Sequence, residues 1–357
     1  MSTFLCPYTE ATMIGLRERY VINDIGTLGG TPSLGLAINA GGTVTGVSYL
    51  SSGPHGGVHA FRYDGGGIVD VGVLPPDNFS WGYGINDNDM IVGGSFVDEG
   101  GPVPHAFRAD AALALMDLGT LGGDFSFAYD INNVMLITGE ASNQANDTHA
   151  FIWSPGNMRD IGTLAGGNRS VGRSINERGQ VAGESTFGRR DATLAIRFTE
   201  ADGMVSLGTL AGGFSSSGYG INNTGQVVGE SDTGPILQPF ARVRAFPLFG
   251  THAFLWTETD GMRDLGHLGG GTSRATAISD TGQVVGTSSL IDGTAHAFSW
   301  TSSGGMLDLN TLLPLNSGWV LVEAHGINNK GQIAGYGLHN GVGHAFRFGP
   351  SEIVVQP

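Results

Sequence analysis

The chain of 357 residues carries a formal net charge of −15, with charged residues at only 14% and its 17 Lys and Arg scattered rather than clustered. That balance excludes a nucleic-acid backbone or an anionic membrane surface as partner, since both require a basic patch. Its 61 glycines follow no three-residue period, which excludes collagen, and 40% hydrophobic residues exclude a disordered chain; glycine among short apolar runs predicts many short strands joined by tight turns.

Residues 1–19 read as a tail. They have neither a basic start nor a continuous apolar stretch, so no signal peptide is expected and a cytoplasmic location follows; no run of the chain reaches transmembrane length. The single cysteine, Cys6, excludes an internal disulfide. The first predicted strand is "YVINDIGTL" at 20–28, the first of seven copies of a "DLGTL" motif starting at Asp24, Asp70, Asp117, Asp160, Ser206, Asp264 and Asp308. Between successive copies stand two further anchors in fixed order. An Ile before a turn and a "GQVVG" strand falls at Ile38, Ile85, Ile131, Ile175, Ile221, Ile278 and Ile327. A "HAF" motif starts at His59, His105, His149, His252, His296 and His344, with a degenerate copy at Leu194. The spacing is 43 to 49 residues except for one step of 57 or 58.

Each unit predicts four strands. Strand A runs into the Ile ("SSGYGIN"), B is "QVVGES", C is "HAFLW" and D is "GMRDLGTL". The A–B link, as in "NNTG" at 222–225, is a four-residue turn whose glycine supplies a positive φ; Asp89 and Met135 take that place in the second and third copies, and the Met135 turn is expected to be strained or built differently. A unit of about 45 residues with four strands matches a propeller blade, whose faces only ringed neighbours can cover. The expected fold is therefore all-β: a seven-bladed β-propeller over 20–357, of four-stranded blades. The N-terminal D strand completes the last unit and closes the ring, although "SEIVV" at 351–355 stands at the same offset and competes for that place. A stacked solenoid is the alternative. A closed ring exposes only short edges, so a monomer is expected.

In its order of DLGTLGG, serine, Ile-Asn, GQVVG and HAF, matched from residue 20 to about 348, the sequence resembles the HAF-repeat family. The resemblance implies a propeller-like repeat protein and an extracellular setting, against the cytoplasmic reading above; it implies no reaction.

Six HAF histidines spread one per blade cannot converge on an ion, so neither a metal nor a cofactor is expected. They are read as structural imidazoles bonded to backbone, with the Phe in the inter-blade core. The Asp of DLG and the Asn after the Ile are read as turn and blade-to-blade hydrogen bonds. "INDNDM" (85–90) and "SNQAND" (142–147) resemble calcium loops in composition only and are read as turns. No nucleophile, zinc-helix, phosphate-loop or CxxC motif is present.

Function is therefore sought where the repeats disagree. Five residues before the Ile stands serine in six copies, with Val322 in the last, and three before it is always Gly or Ala. Positions four and two before it vary freely, and alternation along strand A puts them on one side, at the mouth of the central channel. This assigns Trp81, Tyr83, Phe127 and Tyr129 as an aromatic ligand-binding wall. Tyr219, Arg173, Arg274, Glu323 and His325 are the polar and candidate catalytic groups. A long B–C insertion at 231–251, carrying Arg242, is positioned to act as a lid. A lengthened D–A loop at 313–325, carrying Trp319, enters the last blade on the same face. The reading is a pocket for a small organic molecule or glycan. The alternatives are an enzyme in the same pocket, either a lyase working by His, Tyr and Arg acid–base chemistry or a cyclase acting by orientation, and a protein-interaction scaffold.

Overall fold

The computed structural model describes residues 20–51, 57–97, 103–188, 190–236 and 248–351. Seven antiparallel four-stranded sheets form the blades of a propeller, each in the order A-B-C-D outward. The A strands are Gly29–Ile38, Phe79–Ile85, Gly122–Ile131, Ser170–Ile175, Ser216–Ile221, Ser273–Ile278 and Trp319–Ile327, for blades 1 to 7. Each packs beside the next, and the first packs beside the last. The N-terminal strand Tyr20–Gly26 is the outer strand of blade 7: it pairs with Val342–Pro350 in the register Tyr20 to Pro350 through Asp24 to Phe346. Of the two competing segments, 20–26 therefore takes the D position; residues 352–357 lie outside the described set, as do the tail 1–19 and Cys6. Among the described residues no helix is long and apolar enough to cross a membrane.

The recurring residues are the inter-blade fastenings. The HAF phenylalanines Phe61, Phe107, Phe151, Phe254, Phe298 and Phe346 are fully buried, in clusters that draw residues from two neighbouring blades. The strand A serine links blades: Ser80 Oγ donates to the Gly72 carbonyl (2.6 Å) and accepts from the Ala60 N–H (2.9 Å), both on the preceding blade. Ser33 does the same across the seam with Gly26 and Ala345. In blade 7 strand A is bulged at Val322, and Asn310 instead grips Leu321 through its N–H (2.8 Å) and carbonyl (2.9 Å).

At the opposite end, called the bottom, Asn side chains form a ring. Asn39, Asn86, Asn132, Asn176, Asn222 and Asn328 each donate to the carbonyl of the corresponding residue one blade on, at 2.9 to 3.1 Å. The chain departs from the sequence reading at the HAF histidines. Their Nδ1 atoms meet the DLG carboxylate of the adjacent strand D, not backbone, as in His149 to Asp160 (2.7 Å) and His252 to Asp264 (2.8 Å). The same carboxylate caps the glycine N–H two residues on, as Asp160 does for Gly162 (2.6 Å). The Met135 turn keeps the common geometry, with Met135 at φ 65° in the left-handed region and its N–H on the Asn132 carbonyl.

Candidate functional site

The backbone of strand A decides which side chains reach the axis. In every blade the pairing of strand A with strand B slips between the residues three and one before the Ile: Gly35/Ala37, Gly82/Gly84, Ala128/Asp130, Gly172/Ser174, Gly218/Gly220, Ala275/Ala277 and Ala324/Gly326. The skipped residue is the bulge, and bulges re-aim side chains. These seven residues are Leu36, Tyr83, Tyr129, Arg173, Tyr219, Thr276 and His325. All seven line both a cavity of about 720 Å³ at the top mouth and a throat of about 210 Å³ beneath it.

The glycine of "GQVVG" makes the bulge possible. A Cβ on Gly229 would stand 1.9 Å from the Ser217 carbonyl oxygen, and the equivalent glycine of every other blade faces the same obstacle at 1.7 to 2.1 Å. Only a residue without a side chain lets the bulged strand come this close.

The bulge also corrects the assumption of plain alternation. Of the residues four before the Ile, Arg274 and Glu323 reach the cavity. Val171 is fully buried, and Trp81 and Phe127 join an aromatic cluster beside it. Tyr83 sits at its centre, edge-on to Trp81 (5.7 Å), Phe127 (6.4 Å) and Tyr129 (5.1 Å). Trp81 is 38% exposed and presents the open face of this arc.

The opposite arc is charged and internally paired. Arg173 lies 4.8 Å over the Tyr129 ring and donates to Glu184 at 3.1 Å. Arg169 bridges Glu140 (3.1 Å) and Glu184 (3.5 Å), and the Tyr129 hydroxyl donates to Glu140 at 2.6 Å. Arg274 holds Glu230 with two parallel bonds, at 2.9 and 3.0 Å, and lies 5.2 Å over Tyr219, whose hydroxyl donates to the same carboxylate at 2.9 Å. Glu323 Oε2 stands 3.0 Å from His325 Nε2, close enough for an ion pair but off the line of a hydrogen bond. Burial, reinforced by Glu230, pushes the Tyr219 phenol up to about 12. Burial raises Tyr83 and Tyr129 further. His325 holds the Glu323 carboxyl below its ordinary range. In the throat Asp130 accepts from Ser174 Oγ (2.8 Å) and the Ile175 N–H (2.9 Å); burial outweighs these bonds and pushes its carboxyl up to about 6.

Arg173, Tyr219, Arg274, Glu323 and His325 thus share one cavity with Tyr83 and Tyr129, whereas Trp319 does not. It packs in the blade 7 core, stacked on His339 at 4.7 Å and edge-on to Phe346. The 231–251 insertion begins as an extension of strands B and C in blade 5, pairing Pro235 with Phe249 and Ile236 with Leu248. Residues 237–247, including Arg242, lie outside the described set.

Two features of the site were not foreseen. One is the trio Glu140, Glu184 and Glu230 on strand B. The signal was present: nine residues after the Ile stand Val47, Gly94, these three Glu, Thr287 and Tyr336. Their place inside the "GES" consensus disguised them as repeat residues. The other is a hydroxyl-lined shelf on the blade 5–6 side of the cavity, including Thr251, Thr272, Thr287, Ser288 and Ser289.

No family model matches the chain, and no curated protein matches it. Solved structures do. An oligogalacturonate lyase in complex with manganese is 14% identical, with 95% of this chain and 98% of that chain covered, at a TM-score of 0.56. A puromycin hydrolase is 13% identical over 87% of this chain and 51% of that one, at 0.55. TolB from Acinetobacter baumannii is 12% identical over 65% and 53%, at 0.44. The chain therefore spans about half the length of the hydrolase and of TolB, and these likenesses show the fold alone.

Proposed function

We propose that the protein binds a neutral ring-bearing ligand, a carbohydrate above all, in the top cavity. The observation that carries this is the paired state of its charges. Of the charged side chains that line it, Arg274 already holds Glu230, Arg173 holds Glu184 behind the wall, and Glu323 stands against His325. An anionic ligand must break such a pair, and it also meets the Glu230 and Glu323 carboxylates on the wall. A sugar hydroxyl needs only a donor or acceptor, which fixed ion pairs and the Thr and Ser shelf supply without reorganisation. Tyr83 and Tyr129 on the cavity wall, continued at its edge by the exposed Trp81 face, offer the apolar surface on which a sugar ring stacks. This separates the site from that of a lyase acting on oligogalacturonate, whose substrate is a polyanion. The seven in-order repeats support membership of the HAF-repeat family.

Calorimetric titration with neutral and uronic-acid oligosaccharides tests the reading. Neutral sugars should bind with little salt dependence, and Trp81→Ala and Glu230→Gln should each weaken binding about tenfold, the scale of one lost stacking or charged hydrogen-bond contact. Tighter binding of uronates that falls steeply with salt would overturn it, as would full affinity in both variants.

A second reading, turnover, is favoured by the placing of His325 and Glu323 in the same cavity as Tyr219 and Arg274. It requires that His325→Ala bind the sugar normally but fail to consume it.

A further inference from the structure

We propose that Asp24, His339 and His344 form a binding site for a divalent transition-metal ion, zinc foremost, at the seam where the N-terminal strand joins blade 7. The first observation is a departure from the repeat. Every HAF histidine faces a DLG carboxylate, but at the seam a second imidazole reaches the same carboxylate. His339 stands twelve residues after the repeat Ile, where the other blades carry Leu50, Val97, Asn143, Phe187, Thr233 and Leu290. His339 Nδ1 lies 2.8 Å from Asp24 Oδ2, and His344 Nδ1 lies 2.8 Å from Oδ1 and 3.0 Å from Oδ2. One ligand atom from each residue falls within 4.8 Å of the others, the one such trio of His, Cys, Asp or Glu among the described residues. With bonds of about 2.0–2.2 Å, a zinc ion reaches all three after small side-chain shifts.

The second observation is the support behind the trio. The His339 ring is stacked on Trp319 at 4.7 Å and 6°, and Asp24 Oδ1 accepts the Gly26 N–H at 2.8 Å. Outer contacts that fix a ring plane and a carboxylate are what orient metal ligands. The trio is partly exposed, which leaves room for water to complete the coordination. Two imidazoles and one carboxylate suit zinc, cobalt or nickel; calcium and magnesium take all-oxygen sets. A carboxylate only accepts, so without metal each Nδ1 carries the proton it donates. Binding moves that proton to Nε2 or to solvent and frees the Nδ1 lone pair for the ion. The ion would tie residue 24 to residues 339 and 344, and so fasten the ring at the one sheet built from both ends of the chain.

The test is calorimetry and thermal unfolding of the metal-stripped, untagged full chain with zinc, with calcium as control. One zinc per chain should bind and raise Tm by about 4 °C at a hundredfold excess over Kd, with no response to calcium. His339→Leu, which installs the residue of blades 1 and 6, and His339→Gln, which keeps a donor toward Asp24, should each weaken zinc binding at least tenfold while leaving the metal-free Tm near wild type. His59→Gln, in a blade with the pair alone, should leave zinc binding unchanged. Cobalt should give visible absorption bands that vanish in both His339 variants. Absence of zinc binding at millimolar concentration, or undiminished binding in the two His339 variants, would overturn the proposal.

Discussion

The asparagine ring at the bottom of the propeller has one gap, and the gap makes a sharp prediction. Six blades donate an Asn amide to the next blade; blade 6 carries Ser279, which cannot reach Asn328. Ser279 still caps its own turn, accepting the Gln283 N–H at 3.2 Å. Ser279→Asn should therefore add one buried inter-blade hydrogen bond and disturb little else. Its magnitude is bounded by the acceptor. The Asn328 carbonyl already takes the Gly331 N–H at 3.0 Å, so the new bond fills a second lone pair and does not rescue an orphan. That places the gain near the ordinary net value of about 1 kcal/mol. Part is spent on Gln283, which now donates to Ser299 at 2.8 Å, whereas Gln180, Gln226 and Gln332 accept from their Asn. The reverse change, Asn222→Ser, should lose a similar amount, because the Ser279 carbonyl keeps the Gly282 N–H at 3.0 Å. At about 2.1 cal/mol/K per residue over about 330 folded residues, 1 kcal/mol moves Tm by about 1.5 °C. Calorimetric unfolding of the two variants should show shifts of that size and opposite sign. A fall in Tm for Ser279→Asn, or no loss for Asn222→Ser, would mean that the ring follows from blade geometry and does not help to hold it.

Three further outcomes follow from the site. Gly229→Ala must push strand A of blade 5 away from a Cβ that would otherwise stand 1.9 Å from the Ser217 carbonyl, so a loss of about 3 kcal/mol and displacement of Tyr219 are expected, read as a lower Tm and weaker ligand binding. Glu230→Gln removes the charge that assists burial in raising Tyr219; its phenol should titrate below about 12, seen as one tyrosine ionising earlier in an ultraviolet difference titration. Asp130 has a folded value of about 6 against an ordinary 3.8, so between about pH 4 and 6 the folded state holds more protons than the unfolded one and stability falls as pH rises, reaching a penalty of about 3 kcal/mol on the ionised form above that window. Asp130→Asn should remove this dependence, so wild type minus variant slopes across pH 4–6 and is flat above; a flat difference throughout refutes the buried-carboxyl account.

The blade count was legible because each unit must carry the same fastenings in order: Phe for the core, Ser and Asn for the neighbouring blade, His and Asp for strands C and D. The polar wall was legible for a related reason: the position two before the Ile carries no recurring residue and varies from blade to blade, bringing in Arg173, Tyr219 and His325. The bulge was not, because it is a backbone event. Its trace was the recurring glycine of strand B, which reads as a mere turn or strand residue until the opposing carbonyl is in view. The histidine partner was misjudged although the spacing held it: Asp160 lies eleven residues after His149 and Asp264 twelve after His252, which antiparallel pairing of C with D brings alongside. Trp319 illustrates a limit of loop reasoning. An aromatic residue in a long connection can face the rim or pack beneath it, and here Leu309, Leu312, Leu313 and Leu321 make the apolar bed that draws it under.

The division of labour within strand A explains why a site forms at this mouth. The serine near its start and the asparagine after its end hold the neighbouring blades, and the glycine of strand B admits the bulge between them. The bulged side chain is left out of the ladder pairing, so its identity can change without breaking the sheet. Thr276 is the instructive exception, since its hydroxyl donates to the Ala324 carbonyl of the next blade at 2.6 Å and so returns to fastening. At Tyr83, Tyr129, Arg173, Tyr219 and His325 the side chains instead meet one another, strand B carboxylates or the open cavity. Seven such positions converge on one axis, so a change of one residue per blade rewrites a whole wall at little cost to the fold. The aromatic arc of blades 2 and 3 and the charged arc of blades 3 to 7 are two halves of one such rewriting, and a ligand of the proposed kind would meet both at once.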